Sequence, residues 1–201
     1  EPGKLMGAYA EATAQSYQFT RESQDAFAIS SLERARKASE DGTFAKEIVP
    51  VTVKSRKGET VVEIDEQPGN AMPEKIPSLR PAFAKDGTVT AANSSSISDG
   101  AAALILMRQS EAEKRGLKPL AVIQAHATHA HEPEWFTTAP IGAIKKVLDK
   151  AGWDKDDVDL FEINEAFAVV TMAAMQDLGL SADKVNVHGG ACALGHPIGA
   201  S

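Results

Sequence analysis

The chain has 201 residues, of which 43% are hydrophobic and 24% are charged, and its formal net charge is −7. This is enough sequence for one large domain or two small ones with an ordinary globular core. The acidic balance excludes a broad basic surface for nucleic acid, and no apolar run reaches the about 20 residues that a membrane-spanning helix needs. Because Cys192 is the only cysteine, no internal disulfide can form, and a reducing compartment, the cytoplasm, is expected.

The first part of the chain predicts a helix and a pair of strands. Thr20 is expected to cap a helix that Gly42 ends, with its apolar residues on one side. Segment 47–53 alternates in part around Pro50, which is typical of an edge strand or a bulge. Residues 60–64 are expected to pair with that strand.

The middle of the chain predicts a loop, a strand and a short helix. Residues 66–87 are rich in proline and predict a long loop, of the kind that is usually functional or mobile. The apolar run 101–107 has the length of a buried strand. A short surface helix is predicted to follow it, with Ser110 as the cap and Gly116 as the stop.

Strands and helices alternate over residues 119–201. Strands are predicted at 121–130, 158–163 and 184–187, with helices from Thr138 to Gly152 and from 166 to Gly179. This alternation predicts an α/β layer with covered sheet faces. Active sites in such folds gather in the loops that leave the strand ends, which here hold Asn164 and His196.

His196 is the first candidate for chemistry. It stands between Gly195 and Pro197, which restrict the backbone, so that the imidazole is held as a general base or oxyanion donor would be. A structural histidine in a glycine-rich turn is an equal alternative. Residues 190–195 resemble half of a phosphate-binding loop, but the required Lys and Ser or Thr do not follow. Cys192 could form a dyad with His196, although an apolar context favours a buried, inert thiol.

Two further groups have competing interpretations. His129 and His131 would share one face of a strand while His126 points away, so a metal site with Glu132 lacks the three or four converging ligands that zinc requires. No metal is therefore expected. Asn164, at a strand–helix junction, is either an N-cap or an amide donor to a bound water or carbonyl.

The motifs together resemble the thiolase family. NEAFA at 164–168 and GGACALGHPIGAS at 189–201 are specific to it, and further thiolase-like segments occur in the same order: LMG at 5–7, LRPAF at 79–83, GTVTAANSSSISDGAAA at 87–103 and FTTAP at 136–140. A complete thiolase subunit is longer. The start at Glu1 and the end at Ser201, just after a glycine-rich turn, predict a fragment.

The resemblance implies a layered α/β/α/β/α fold that is incomplete in this chain. Residues 1–97 would be most of the loop domain that covers the active site. Residues 98–118 would be the return segment of the N-terminal core domain, and residues 119–201 the first part of the C-terminal core domain. A homodimer or homotetramer is implied, with no nucleic-acid or membrane partner.

The resemblance also implies acyltransferase chemistry on coenzyme A thioesters, by Claisen condensation or thiolysis, with no other cofactor. One cysteine of the family carries the acyl group, a histidine activates it, and a second cysteine moves the α-carbon proton. His196 matches the activating histidine, and Asn164 matches the asparagine that holds a water in the oxyanion hole. Five residues match positions that bind coenzyme A or substrate: Ser95, Met6, Phe167, Ala91 and Phe136. Cys192 falls at a packing position of the family motif and matches neither catalytic cysteine. Since both catalytic cysteines are then missing, this chain alone is expected to be inactive.

The sequence departs from the usual thiolase pattern at positions expected to contact coenzyme A, and one residue indicates the substrate. Leu5 stands where many bacterial biosynthetic thiolases have histidine, and the serines of 94–96 follow Asn93 where Asn-Ala-Ser-Gly is more usual. Phe136 resembles the acetoacetyl-CoA thiolases, which implies condensation of two acetyl-CoA in lipid metabolism. The alternatives are a long-chain 3-ketoacyl-CoA thiolase, a non-catalytic coenzyme A-binding module, and a metal protein built on His126, His129 and His131.

Overall fold

Helices and short turns dominate residues 3–200, the part of the chain that this computed structural model describes. The α-helices are α1 (Met6–Tyr17), α2 (Arg21–Glu40), α3 (Glu66–Asn70), α4 (Gln109–Lys114), α5 (Ala139–Ala151), α6 (Ala168–Leu178) and α7 (Ala191–Leu194). Short 3-10 helices occupy Thr43–Lys46, Pro73–Ser78, Pro133–Thr138, Lys155–Asp157 and Ala182–Lys184. One hairpin joins β1 (Val51–Ser55) to β2 (Gly58–Val62). Ser201, the last residue of the glycine-rich motif, lies outside the described residues.

Helix α2 confirms the sequence prediction at both ends. The backbone N–H of Ser23 donates to Thr20 Oγ1 at 3.1 Å, so that Thr20 caps the helix as expected. The helix ends at Glu40, and Gly42 follows in the left-handed region with φ 81°. Its buried side includes Leu32, Ala35 and Ala38, and this side packs against the later part of the chain.

The hairpin also confirms its prediction, with shifted bounds. β1 and β2 pair antiparallel, with Val51 opposite Val62 and Ser55 opposite Gly58. The first strand begins after Pro50 because proline cannot donate a hydrogen bond to a neighbouring strand. Segment 66–87 contains α3 and a 3-10 turn, and it is fixed to α2. The Arg36 guanidinium donates to the carbonyls of Pro68 and Ala71, and Arg21 donates to those of Ile76 and Leu79.

The predicted strands are the main error. Residues 101–107 form no strand and are exposed throughout, with Ile105 87% exposed. Segment 121–130 also forms no strand and pairs with no strand among residues 3–200. The strands predicted at 158–163 and 184–187 reduce to one parallel bridge between Phe161 and Val185. A β-strand requires a neighbouring strand to which its backbone groups hydrogen-bond. Residues 3–200 contain no such neighbouring strand for segments 101–107 and 121–130.

Helices α5 and α6 were predicted correctly, and α6 is the centre of the core. Gly152 and Gly179 end them in the left-handed region, at φ 69° and 62°. Thr138 precedes α5 but makes no side-chain cap, and the predicted Ser110 cap is wrong because α4 begins at Gln109 with Arg108 before it. Helix α6 packs against α1, α2 and α5. None of the described helices combines the length and apolar character needed to cross a bilayer.

Candidate active site

The two leading sequence candidates meet in space. Asn164 Nδ2 lies 3.3 Å from His196 Nε2, although 32 residues separate them in the chain. The amide N–H can donate to Nε2 when the imidazole carries its own proton on Nδ1. Asn164 does not cap α6, which begins at Ala168 with Phe167 at the N-cap position. The N-cap interpretation of Asn164 is therefore wrong.

A segment of three serines, residues 94–96, lies between the two loops and holds both. The backbone N–H and the hydroxyl of Ser95 each donate to the carbonyl of Ala166 at 3.0 Å. The backbone N–H of His196 donates to the carbonyl of Ser96 at 2.9 Å. This serine segment therefore fixes the distance between the Asn164 loop and the His196 turn.

The turn that carries His196 depends on one glycine. Gly195 has φ 91°, a conformation that side chains other than glycine rarely adopt. A Cβ atom there would lie 2.1 Å from Ser98 Oγ. The close approach at Gly195 is therefore to Ser98, two residues after the serine segment.

Glu165 is the residue that sequence reasoning missed. Its side chain is 1% exposed and its carboxylate accepts three hydrogen bonds, from Ser31 Oγ at 2.8 Å, Asn186 Nδ2 at 2.9 Å and the backbone N–H of Cys192 at 3.1 Å. A Cβ at Gly190 would lie 2.4 Å from this carboxyl group. Glu165 thus ties the Asn164 loop to α2, to Asn186 and to α7. The signal in the sequence is an acidic residue directly before the apolar run 166–170.

Cys192 is buried and chemically protected. Its side chain points toward the backbone carbonyl of Glu165, with Sγ 3.7 Å from that oxygen. Burial raises the pKa of the Cys192 thiol well above its usual value, and the charge and hydrogen bonding of Glu165 raise it further. Since the thiolate is the reactive form, this thiol is held in its unreactive state. The geometry agrees with a packing residue and gives no Cys192–His196 dyad.

Aromatic residues pack beside the Asn164 loop. The Phe167 ring, 8% exposed, meets the rings of Phe83 and Phe136 edge-on, with centroids 6.0 and 6.5 Å apart. Phe136 in turn meets Tyr9 at 6.5 Å. Two of the five residues expected to contact coenzyme A or substrate, Phe167 and Phe136, therefore lie together. Their edge-to-face arrangement is one that aromatic side chains commonly adopt.

The other three expected contact residues differ in their exposure. Met6 begins α1 and is 54% exposed. Ala91 is also exposed, three residues before the serine segment. Ser95 is half-buried, and its hydroxyl hydrogen is used by the carbonyl of Ala166.

The histidines of the C-terminal half form a pair without a third ligand. The rings of His129 and His131 lie 5.3 Å apart, on one side of the segment as their spacing predicted. Desolvation lowers the pKa of His129, and the positive charges of Lys146 and His131 lower it further. Within residues 3–200, no group of three or more His, Cys, Asp or Glu side chains is placed to hold a metal ion. The metal alternative therefore gains no support from this pair.

Comparison with known proteins gives a consistent set of relatives. The family model described as thiolase, N-terminal domain, matches residues 2–110, and the model for the thiolase C-terminal domain matches residues 117–201. The chain is 53% identical over 199 residues to a cytosolic acetyl-CoA acetyltransferase of Mus musculus, covering 98% of this chain and 50% of that protein.

Solved structures agree with the sequence matches. The crystal structure of the Bacillus anthracis acetyl-CoA acetyltransferase superposes with a TM-score of 0.94 at 45% identity, over 98% of this chain and 50% of that one. The Acat5 thiolase of Ascaris suum in complex with coenzyme A gives 0.92 at 46% identity, over 98% and 51%. The expected α/β fold of the family is thereby confirmed. The chain spans about half the length of the curated relatives it matches.

Proposed function

Since this chain belongs to the thiolase family, we propose that its Asn164 loop and His196 turn supply half of an acyl-transfer centre for coenzyme A thioesters. One observation carries the proposal: the Asn164 amide and the His196 imidazole, distant in sequence, lie 3.3 Å apart. Both groups stand on backbone that hydrogen bonds from the serine segment hold in place. Polar groups preoriented in this way are what a developing thioester oxyanion requires.

The proposed roles follow from the chemistry of the two side chains. His196 takes the proton of the acyl-accepting cysteine thiol, because imidazole is the side-chain group that most often serves as a general base. It then stabilises the thioester enolate formed during condensation or its reverse. Asn164 holds a water that donates to the same oxygen. The residues proposed to bind coenzyme A and the acyl group are Ser95, Met6, Phe167, Ala91 and Phe136.

The acyl-carrying cysteine is proposed to be a residue other than Cys192. The burial of Cys192 and its raised pKa disfavour the thiolate that must attack a carbonyl. We place both catalytic cysteines in sequence that the relatives have and residues 1–201 lack, so this chain alone should not turn over. In that scheme residues 1–97 belong to the loop domain, 98–118 return to the N-terminal core domain, and 119–201 begin the C-terminal core domain.

The reaction we propose for the whole protein is the reversible condensation of two acetyl-CoA to acetoacetyl-CoA and coenzyme A through an acyl-cysteine. The names of the relatives support the acetyl group, and the aromatic packing around Phe136 and Phe167 supports a short acyl chain. The mouse relative is named as cytosolic, in line with a cytoplasmic role in lipid metabolism. A homodimer or homotetramer remains part of the proposal.

The test is coenzyme A-dependent cleavage of acetoacetyl-CoA by the protein with its natural flanking sequence. His196→Ala should lower kcat by roughly 10²- to 10⁴-fold, because it removes a general base. His126→Ala is the matched control, since His126 is exposed and only its backbone carbonyl accepts a hydrogen bond, from Lys150. It should leave kcat unchanged.

Two results would count against the proposal. A parent protein without activity on any 3-ketoacyl-CoA would refute acyl transfer. A parent that cleaves long-chain 3-ketoacyl-CoA in preference to acetoacetyl-CoA would replace the short-chain reaction with the long-chain one.

A further inference from the structure

The side chain of Gln67, from helix α3, reaches the turn that carries His196. Gln67 Oε1 accepts a hydrogen bond from the Ser96 hydroxyl, and Gln67 Nε2 donates to the carbonyl of Cys192 at 3.3 Å. A carbonyl can only accept, so the NH2 group of the amide must face Cys192 and its oxygen must face Ser96. The two contacts therefore determine the orientation of the Gln67 amide.

These contacts close a ring of bonds around the His196 turn. Ser96 accepts the backbone N–H of His196 through its carbonyl and donates to Gln67 through its hydroxyl. The Gln67 amide donates to the carbonyl of Cys192 in α7, and the chain runs from α7 directly into the His196 turn. Loss of the Gln67 side chain removes two bonds of this ring. Of the ring's bonds, only the one from the His196 N–H to the Ser96 carbonyl then holds the turn to the serine segment.

The hydroxyl at position 96 is also oriented. Ser96 Oγ donates to Gln67, which leaves its lone pairs for the Ser98 hydroxyl 2.9 Å away. Ser98 Oγ is the atom against which Gly195 packs. Ser96 therefore links Gln67 both to Ser98 and to the backbone N–H of His196.

We propose that Gln67 is a positioning residue for His196, acting through Ser96 and the carbonyl of Cys192. This inference rests on the proposed acyl-transfer role of His196. Within residues 3–200 the hydrogen bonds of the Gln67 side chain go to Ser96 and Cys192, not to Asn164. Its loss should change the placement of the imidazole and leave the binding of coenzyme A unaffected.

The experiment uses the protein with its natural flanking sequence and four variants: Gln67→Leu, Ser96→Ala, the double variant, and Gln109→Leu. Ser96→Ala removes the hydroxyl and keeps the carbonyl that receives the His196 N–H. Gln109 lies on the exposed helix α4, where its amide donates only to Glu113. It is a control for the same change of residue away from the turn.

Gln67→Leu should lower kcat for acetoacetyl-CoA cleavage by roughly 10- to 100-fold, the effect of misplacing a catalytic group, with KM for coenzyme A unchanged. Ser96→Ala should also lower kcat, and the double variant should be no slower than the slower single variant, because the bond between Ser96 and Gln67 is lost in both single variants. Gln109→Leu should match the parent. An unchanged kcat in both single variants, or rate losses that multiply in the double variant, would overturn the proposal.

A second readout separates this inference from the proposed function. The imidazole NMR signal of His196, assigned by its loss in His196→Ala, should shift in Gln67→Leu and stay in place in Gln109→Leu. If the parent lacks thiolase activity, the proposed function fails, and this signal alone decides the positioning role. If Gln67→Leu fails to fold, Ser96→Ala carries both measurements. A His196 signal that does not move in a folded variant would refute the role.

Discussion

The buried carboxylate of Glu165 should be a major contributor to the stability of this chain, and Glu165→Ala measures that contribution. The side chain accepts hydrogen bonds from Ser31, Asn186 and Cys192. Ser31 Oγ can rotate and keeps a second bond, because it also accepts the N–H of Gly190 at 2.9 Å. The Asn186 amide keeps one bond, to the carbonyl of Ile163 at 2.8 Å, but truncation leaves its other N–H and the backbone N–H of Cys192 buried without an acceptor.

The magnitude follows from those two donors. A buried group left without its partner costs about 1–3 kcal/mol, so the pair costs about 2–6 kcal/mol. Part of this is offset, because the variant no longer keeps a charge out of water. We expect Glu165→Ala to lower the free energy of unfolding by about 3 kcal/mol, a large share of the 5–15 kcal/mol typical of a domain. Glu165→Gln keeps one acceptor and should lose about 1–2 kcal/mol, because its NH2 group must face a donor.

Urea unfolding followed by tryptophan fluorescence gives these free energies, provided that the slope with urea is the same in each variant. Glu63→Ala is the matched control, since Glu63 is exposed and should shift the free energy of unfolding by less than about 0.5 kcal/mol. If Glu165→Ala behaves like Glu63→Ala, or if Glu165→Gln is as damaging as Glu165→Ala, the assigned hydrogen bonds do not carry the stability and the reasoning is wrong.

Two other groups give predictions that a titration or a thiol reagent can check. The Cys192 thiol should react with an aromatic disulfide at least about 100-fold more slowly in the native protein than in urea, since burial raises its pKa; equal rates would mean that the thiol is accessible. Burial, then the hydrogen bond to Asp177 and its charge, raise the pKa of Tyr17 to about 12. Its contribution to stability should therefore be complete below pH 10.0 and be lost as the pH rises toward about 12, because the unfolded phenol ionises first. Asp177→Asn should move the Tyr17 phenolate absorbance toward lower pH, and an unchanged midpoint would contradict the assigned cause.

The parts of the candidate site that the sequence predicted are those that depend on local chemistry. Gly195 and Pro197 determine the backbone around His196 locally, so the turn could be predicted from the sequence. The pairing of His196 with Asn164 came from the family motifs, because periodicity contains no information on a contact across 32 residues. Glu165 and Gln67 were not predicted for the same reason, since their partners lie in distant segments.

The same distinction explains why helices were predicted better than strands. An α-helix satisfies its backbone hydrogen bonds within one segment, so local signals are enough to predict it. These signals were the cap and apolar side of α2 and the glycines that end α5 and α6. A β-strand satisfies its backbone hydrogen bonds only through a neighbouring strand. The apolar sequence of 101–107 predicts burial but does not identify the segment that would cover it. The hairpin was correct because its two strands lie side by side in the sequence. The exposed apolar residues of 101–107 therefore show that an apolar run alone predicts neither a strand nor its burial, since no segment within residues 3–200 covers them.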